Sequence, residues 1–187
     1  VQKRPAEETE ALERAFALLR ETPWHNRSLF QDVMTRTVVL SKDPVALAQV
    51  IETRRVVEVG NVRLAAARIT PEQVAHLEAL LAELRGAVAD ADRFSSLDIE
   101  FHDAVCEAAG NFLLAQFMRI INTLGKVSRE RTGASRATRE RALGDHEAIL
   151  AALSAADPDG AASAMTTHLD HVEAALAGAT RAGRPTP

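Results

Sequence analysis

Prolines and capping residues divide this chain into long, uninterrupted runs of helix formers. Asp43-Pro44 and Thr70-Pro71 each place a capping side chain before a proline at the first helical position, where its missing N–H is not needed. Asp157-Pro158-Asp159-Gly160 reads as a turn. Alanine, leucine, glutamate and arginine dominate between these marks. No run of about 4–8 residues alternates apolar and polar between turn signals, as a half-buried strand would. The sequence therefore predicts an all-α chain.

Helices are expected over 5–20, after Ser28 through Thr37, over 44–68, from Thr70 to Leu84, and over 91–109, 112–130, 138–155 and 159–179. Gln73 stands at the capping-box position after Thr70. Gly110-Asn111 supplies a left-handed stop. The tail Ala182 to Pro187 should fray. Short connections make successive helices antiparallel, so the expected product is an antiparallel bundle of about seven helices.

Composition narrows the function. The 187 residues carry a net charge of −4 and a pI near 5.9, which argues against this chain alone gripping a phosphate backbone. Aromatics are 4% and tyrosine is absent, so no stacking platform for single-stranded nucleic acid is expected. No apolar run approaches the ~20 residues of a membrane span, and Val1 to Glu10 has no signal-peptide core. The single cysteine, Cys106, fits a reducing compartment, hence a cytoplasmic location.

The histidines concentrate in the later helices. Asp98 and His102 lie four residues apart, on one face of one helix. His146 lies beside the apolar positions Ile149, Leu150 and Leu153, and His168 lies between Met165 and Leu169. Three imidazoles and one carboxylate from separate helices could converge in the core and hold Zn²⁺, Ni²⁺ or Mn²⁺. The spacing leaves an alternative open: a histidine on an apolar face is commonly a core residue with one ring nitrogen satisfied. Cys106, one turn after His102, reads as a packing residue rather than a thiolate ligand. His171 could replace His168, while His25 and His76 read as bystanders. Arg129, Arg131, Arg136, Arg139 and Arg141, interleaved with Glu130 and Glu140, read as a solvated surface.

Several segments together resemble the ligand-binding (FCD) domain of GntR-type transcription regulators of the FadR branch. Leu97-Asp98-Ile99-Glu100-Phe101-His102 followed by Ala108-Ala109-Gly110-Asn111 resembles the D-x-x-F-H … A-x-G-N signature. His146 to Leu150 resembles H-x-x-I-L, Met165 to Leu169 resembles M-x-x-H-L, and Glu52 to Glu58 resembles E-x-R-x-x-x-E. Leu64 to Arg68 followed by Thr70-Pro71 continues that helix, so the resemblance covers about 44–180.

The resemblance implies a helical bundle in which Asp98, His102, His146 and His168 hold a divalent metal, with zinc first and nickel or manganese as alternatives. It implies Arg54 as the residue that holds a carboxylate effector. Asn111 either faces the pocket or caps its helix. Residues 1–43 would be the end of a wing, a linker and the first two helices. Residues 44–180 would form the effector- and metal-binding bundle, with 181–187 a frayed tail. The winged helix-turn-helix that reads DNA in this family has no counterpart here, so DNA would be reached only through that missing domain. The implied function is allosteric sensing of a small organic acid by a homodimer.

Two other readings compete. A metal with open coordination could serve a hydrolase or lyase, but Glu100 and Glu147 each turn away from the face of the neighbouring ligand. A structural dimerisation module would use the largely apolar helix from Phe112 to Leu124, which reads as core on one side and dimer face on the other.

Overall fold

The computed structural model describes residues 44–182. The helices expected over 5–20 and after Ser28 lie outside the described residues. The chain divides into two compact units, 1–47 and 48–187. The second unit holds all but the first four of the described residues.

Among the described residues there are six helices and no strand. They are α1 (Pro44–Ala66), α2 (Pro71–Gly86), α3 (Ala91–Ala108), α4 (Phe112–Thr132), α5 (Arg136–Ser154) and α6 (Pro158–Ala182). They correspond to the six expected after Asp43, with ends displaced by up to three residues. Helix α5 begins before residue 138, with Ser135 at its N-cap position although its side chain makes no capping bond.

The caps act as their residue types dictate. Thr70 Oγ1 accepts from Gln73 N at 3.3 Å while Thr70 N donates to Gln73 Oε1 at 3.0 Å, completing the capping box. Asp90 Oδ1 accepts from Arg93 N at the start of α3. Asn111 Oδ1 accepts from Leu113 N and Leu114 N at the start of α4. Gly110 has φ 65°, the left-handed conformation that lets α3 stop and the chain turn at once into α4.

Pairwise contacts set the directions. Asp98 and Asp103 of α3 bond Arg129 and Asn122 of α4, so the two helices are antiparallel. Arg55 reaches Asp170 and Arg63 reaches Asp159, so α1 and α6 are antiparallel. Arg54 approaches His102 and Asn61 bonds Cys106, so α1 and α3 run parallel. The main core is built from all helices except α4, with Val62, Leu77, Phe101, Leu153 and Leu169 at 0–1% exposure. A smaller cluster joins Cys106 to Met118 and Ile121 of α4.

Leu153 has no solvent exposure. Leu153→Ala is expected to lower unfolding free energy by about 2–5 kcal/mol, and Thr70→Ala by about 1 kcal/mol. Urea denaturation of the two variants checks this; equal losses would contradict the core assignment.

Candidate metal and effector site

The α3 residues Asp98 and His102 face His146 of α5 and His168 of α6. All four are buried, at 7%, 2%, 0% and 1% exposure. One ligand atom from each lies within 4.8 Å of all the others. The ring centroids are 5.2 Å apart for His102 and His146, 5.1 Å for His102 and His168, and 4.8 Å for His146 and His168. Phe101 stacks on His146 at 4.5 Å and fixes that ring from the core side.

These rings lack what buried imidazoles need. Both nitrogens of His146 and both of His168 are buried with no hydrogen-bond partner. His146 Nε2 is 3.4 Å from Asp98 Oδ1, and His102 Nε2 is 4.0 Å from it, without a directed bond to it. An unsatisfied buried polar atom costs about 1–3 kcal/mol. Three rings and a carboxylate turned toward one point therefore make an expensive arrangement for core packing and a natural one for a shared cation. The donor set of three imidazoles and one carboxylate suits a borderline divalent ion and leaves coordination positions open. The residues could hold a metal.

A second layer of charge holds these groups. Glu58 Oε2 lies 2.7 Å from His102 Nδ1, at ion-pair distance though off the line of a hydrogen bond. Arg54 holds Glu58 through Nε at 2.5 Å and Nη2 at 3.3 Å. Burial opposes the charge on Glu58, but Arg54 and His102 keep its carboxyl well below the usual range. Arg129 Nε donates to Asp98 Oδ2 at 2.6 Å. Its Nη2 donates to Asn122 Oδ1 at 2.9 Å, and Asn122 Nδ2 donates to Asp103 Oδ1 at 2.6 Å. Burial likewise opposes the charge on Asp98, yet Arg129 and the three histidines keep it ionised far into acid. Asp145 sits 3.6 Å from His168 Nδ1 and 2.9 Å from His171 Nδ1. Such carboxylate–imidazole pairs orient rings that bind metals.

Beside the cluster is a cavity of about 40 Å³. Its wall includes Arg54, Asp98, Arg129, Arg139, Thr132 and His168. At ~10–15 Å³ per water it has room for about three.

The structure thus brings together Asp98, His102, His146, His168 and, 3.5 Å from His102, Arg54. Asn111 caps α4 and does not line this cavity. His171 is a third exposed and paired with Asp145, and His76 is on the surface. Cys106 packs in the small cluster; burial pushes its thiol up to about 12, so it stays protonated. Glu100 is exposed and Glu147 pairs with Arg85 on the surface, so neither is placed as a base beside the cluster.

The expectation of a solvated arginine run fails at two positions. Arg129 and Arg139 are buried, at 5% and 6% exposure. Arg129 is drawn in by Asp98. Arg139 donates to the carbonyls of Val88 at 2.8 Å and Ala134 at 3.2 Å, and also to that of Gly133. Sequence reasoning also gave no role to Glu58 or Asp145. A signal for Arg129 was available: Met118, Asn122 and Arg129 recur at helical spacing, placing the arginine on the buried face of α4.

The chain belongs to the FCD domain family, whose model matches residues 49–171. It is 31% identical over 137 residues to the galactonate operon transcriptional repressor of Escherichia coli (strain K12), covering 73% of this chain and 60% of that one. It is 27% identical over 150 residues to the HTH-type transcriptional regulator LutR of Bacillus subtilis (strain 168), covering 78% and 68%. Among solved structures it is similar to Streptococcus agalactiae GntR, at 26% identity and a TM-score of 0.61, covering 68% of this chain and 58% of that one. The chain spans between 60% and 68% of the length of the curated relatives it matches.

Burial, and then the neighbouring His168, lowers the pKa of His146 well below 6.5; burial lowers that of His168. Below that pH the unfolded chain therefore binds protons that the folded chain refuses. The metal-free chain should lose stability as pH falls from about 7.5 to about 5.5, a window above the range where Glu58 and Asp98 titrate. His146→Leu should flatten the slope. Urea midpoints across this range measure it, and a flat wild-type profile would contradict the burial of neutral rings.

Proposed function

We propose that this chain is the effector-sensing domain of a transcription regulator, with Asp98, His102, His146 and His168 as ligands of one divalent metal, zinc first. The observation that carries the reading is the cluster of four buried ligand groups whose ring nitrogens lack partners. A bound metal would supply open coordination positions for a carboxylate. Glu58 and Asp145 orient the rings of His102 and His168, and Phe101 and the surrounding core exclude water. Arg54, held in place by Glu58, presents a buried guanidinium beside the cluster, a donor suited to the same carboxylate.

The effector is then a small organic acid: a hydroxy acid, a sugar acid, or a di- or tricarboxylate. One relative is named for the galactonate operon, and galactonate is a hydroxy acid. Acid binding draws on groups from α1, α3, α5 and α6 at once, so it can couple these helices and bias a winged helix-turn-helix elsewhere in the complete protein. Acid and operator must then alter each other's affinity by the same factor. Unchanged operator binding in the presence of every acid that binds this domain would sink the mechanism.

Elemental analysis of untagged protein should find about one divalent ion per chain, lost in His146→Ala. Arg54→Lys, which keeps a cation beside Glu58 but loses the planar fork, should keep the metal and weaken acid binding by about tenfold or more. Protein that takes up no zinc, nickel or manganese would overturn the site.

The same reading makes the protein a cytoplasmic homodimer. Among the described residues, no helix is long and apolar enough to cross a membrane. Phe112, Leu113 and Phe117 are 60–67% exposed on α4 and supply an apolar face for a second copy. Phe117→Glu should shift sedimentation toward the monomer, and an unchanged dimer would relocate the interface.

A further inference from the structure

We propose that Arg129 is a second anion-recognising residue of this site, and that the acid it selects carries two carboxylates, one at the Asp98–histidine cluster and one at Arg129 Nη1. The inference rests on the organic-acid reading above and narrows its ligand class.

Three observations carry it. Arg129 is 5% exposed, and its Nη1 is buried with no hydrogen-bond partner among the described residues. Its other two nitrogens are committed, Nε to Asp98 and Nη2 to Asn122, so the group cannot swing away to find water without breaking both. It also lines the cavity that reaches Asp98 and His168. A guanidinium keeps its charge in any protein environment, so the unpartnered N–H is a cationic donor held in a fixed direction.

The charge around the cavity agrees. Its wall contains the guanidinium groups of Arg54, Arg129 and Arg139 and the single carboxylate of Asp98. Glu58 balances Arg54 and Asp98 balances Arg129, while Arg139 donates to backbone carbonyls, which carry no net charge. Burial first, and repulsion from Arg54 second, lower the pKa of Arg129. A divalent ion at the cluster adds two more positive charges. Asp145 at His168 and Asp103 behind Asn122 offset part of this charge, so it is the unpartnered Nη1, rather than the charge count, that calls for a second carboxylate. A neutral hydroxyl could also accept from Nη1, but it would leave the charge unanswered.

Asp98 joins the two ends. Its Oδ2 is bound to Arg129, which leaves Oδ1 turned toward the histidines. The second carboxylate would therefore bind on the side of Asp98 away from the ring cluster, against α4.

Malate and lactate test this directly, because they share an α-hydroxy carboxylate and differ by the second carboxylate. Calorimetric titration of the zinc-loaded chain should show malate binding about tenfold or more tighter than lactate. In Arg129→Gln, which keeps a donor for Asp98 and loses the charge, malate should weaken beyond any change for lactate, so that the preference collapses toward unity. Zinc content and thermal midpoint, read on the same samples, report whether the site is intact. If Arg129→Gln loses zinc, Arg129→Lys decides: a preference kept but reduced supports the proposal, and an unchanged preference overturns it. Equal binding of the two acids by the wild type overturns it as well. So does a preference that survives in Arg129→Gln while both acids weaken alike, because Arg129 would then act only by positioning Asp98. Lactate binding without malate preference would leave the organic-acid reading standing. Failure of both acids to bind zinc-loaded protein would remove that reading too.

Discussion

The two oxygens of Asp98 are divided between opposite demands, and the rest of the site follows from that division. Oδ2 is taken by Arg129 at 2.6 Å, which fixes the carboxylate plane and ties α3 to α4. Oδ1 is left facing His102 and His146, where it is the only carboxylate oxygen of the clustered ligand set. The Arg54–Glu58–His102 chain does the same for α1 and α3. Buried charge of this kind is a poor source of net stability, because desolvation offsets most of the attraction. Its effect is specificity: each ring and guanidinium is held in one orientation, and breaking any partner leaves an uncompensated charge in the core.

The fold was largely legible in the sequence because its signals are local. Thr70-Pro71 with Gln73 and Gly110-Asn111 each mark a boundary by their own hydrogen-bonding or backbone chemistry, and each acts as expected in the structure. The start of α5 falls two residues earlier than expected: Ser135, a residue type that favours the N-cap, takes that position without a side-chain capping bond. The four clustered residues were legible for a different reason. Helical spacing placed Asp98 and His102 on one face, and the family resemblance supplied the partners that spacing alone left open.

The charges behind that cluster were not legible, since their meaning depends on a distant partner. An arginine among glutamates looks solvated until it is known that α4 packs its residue 129 against Asp98 of α3. Glu58 looks like an ordinary i,i+4 partner of Arg54 until His102 is placed beside it. Asn111 shows the opposite case: two plausible roles shared one residue, and the hydrogen bonds to Leu113 and Leu114 account for its side-chain oxygen.

The depth of the histidines also separates two timescales. In the proposed reading, a metal at side chains with 0–2% exposure can leave only when helices part locally, an event drawn from the slow end of native-state opening. In that reading an acid, larger than the few waters the small cavity holds, needs its wall to widen beside Thr132 but not the histidines to part. The ion would then persist through many rounds of ligand exchange, as a resident part of the receptor rather than as a signal. A regulator built on this domain would follow the concentration of its acid from moment to moment and register metal supply only as a record of the conditions in which it folded.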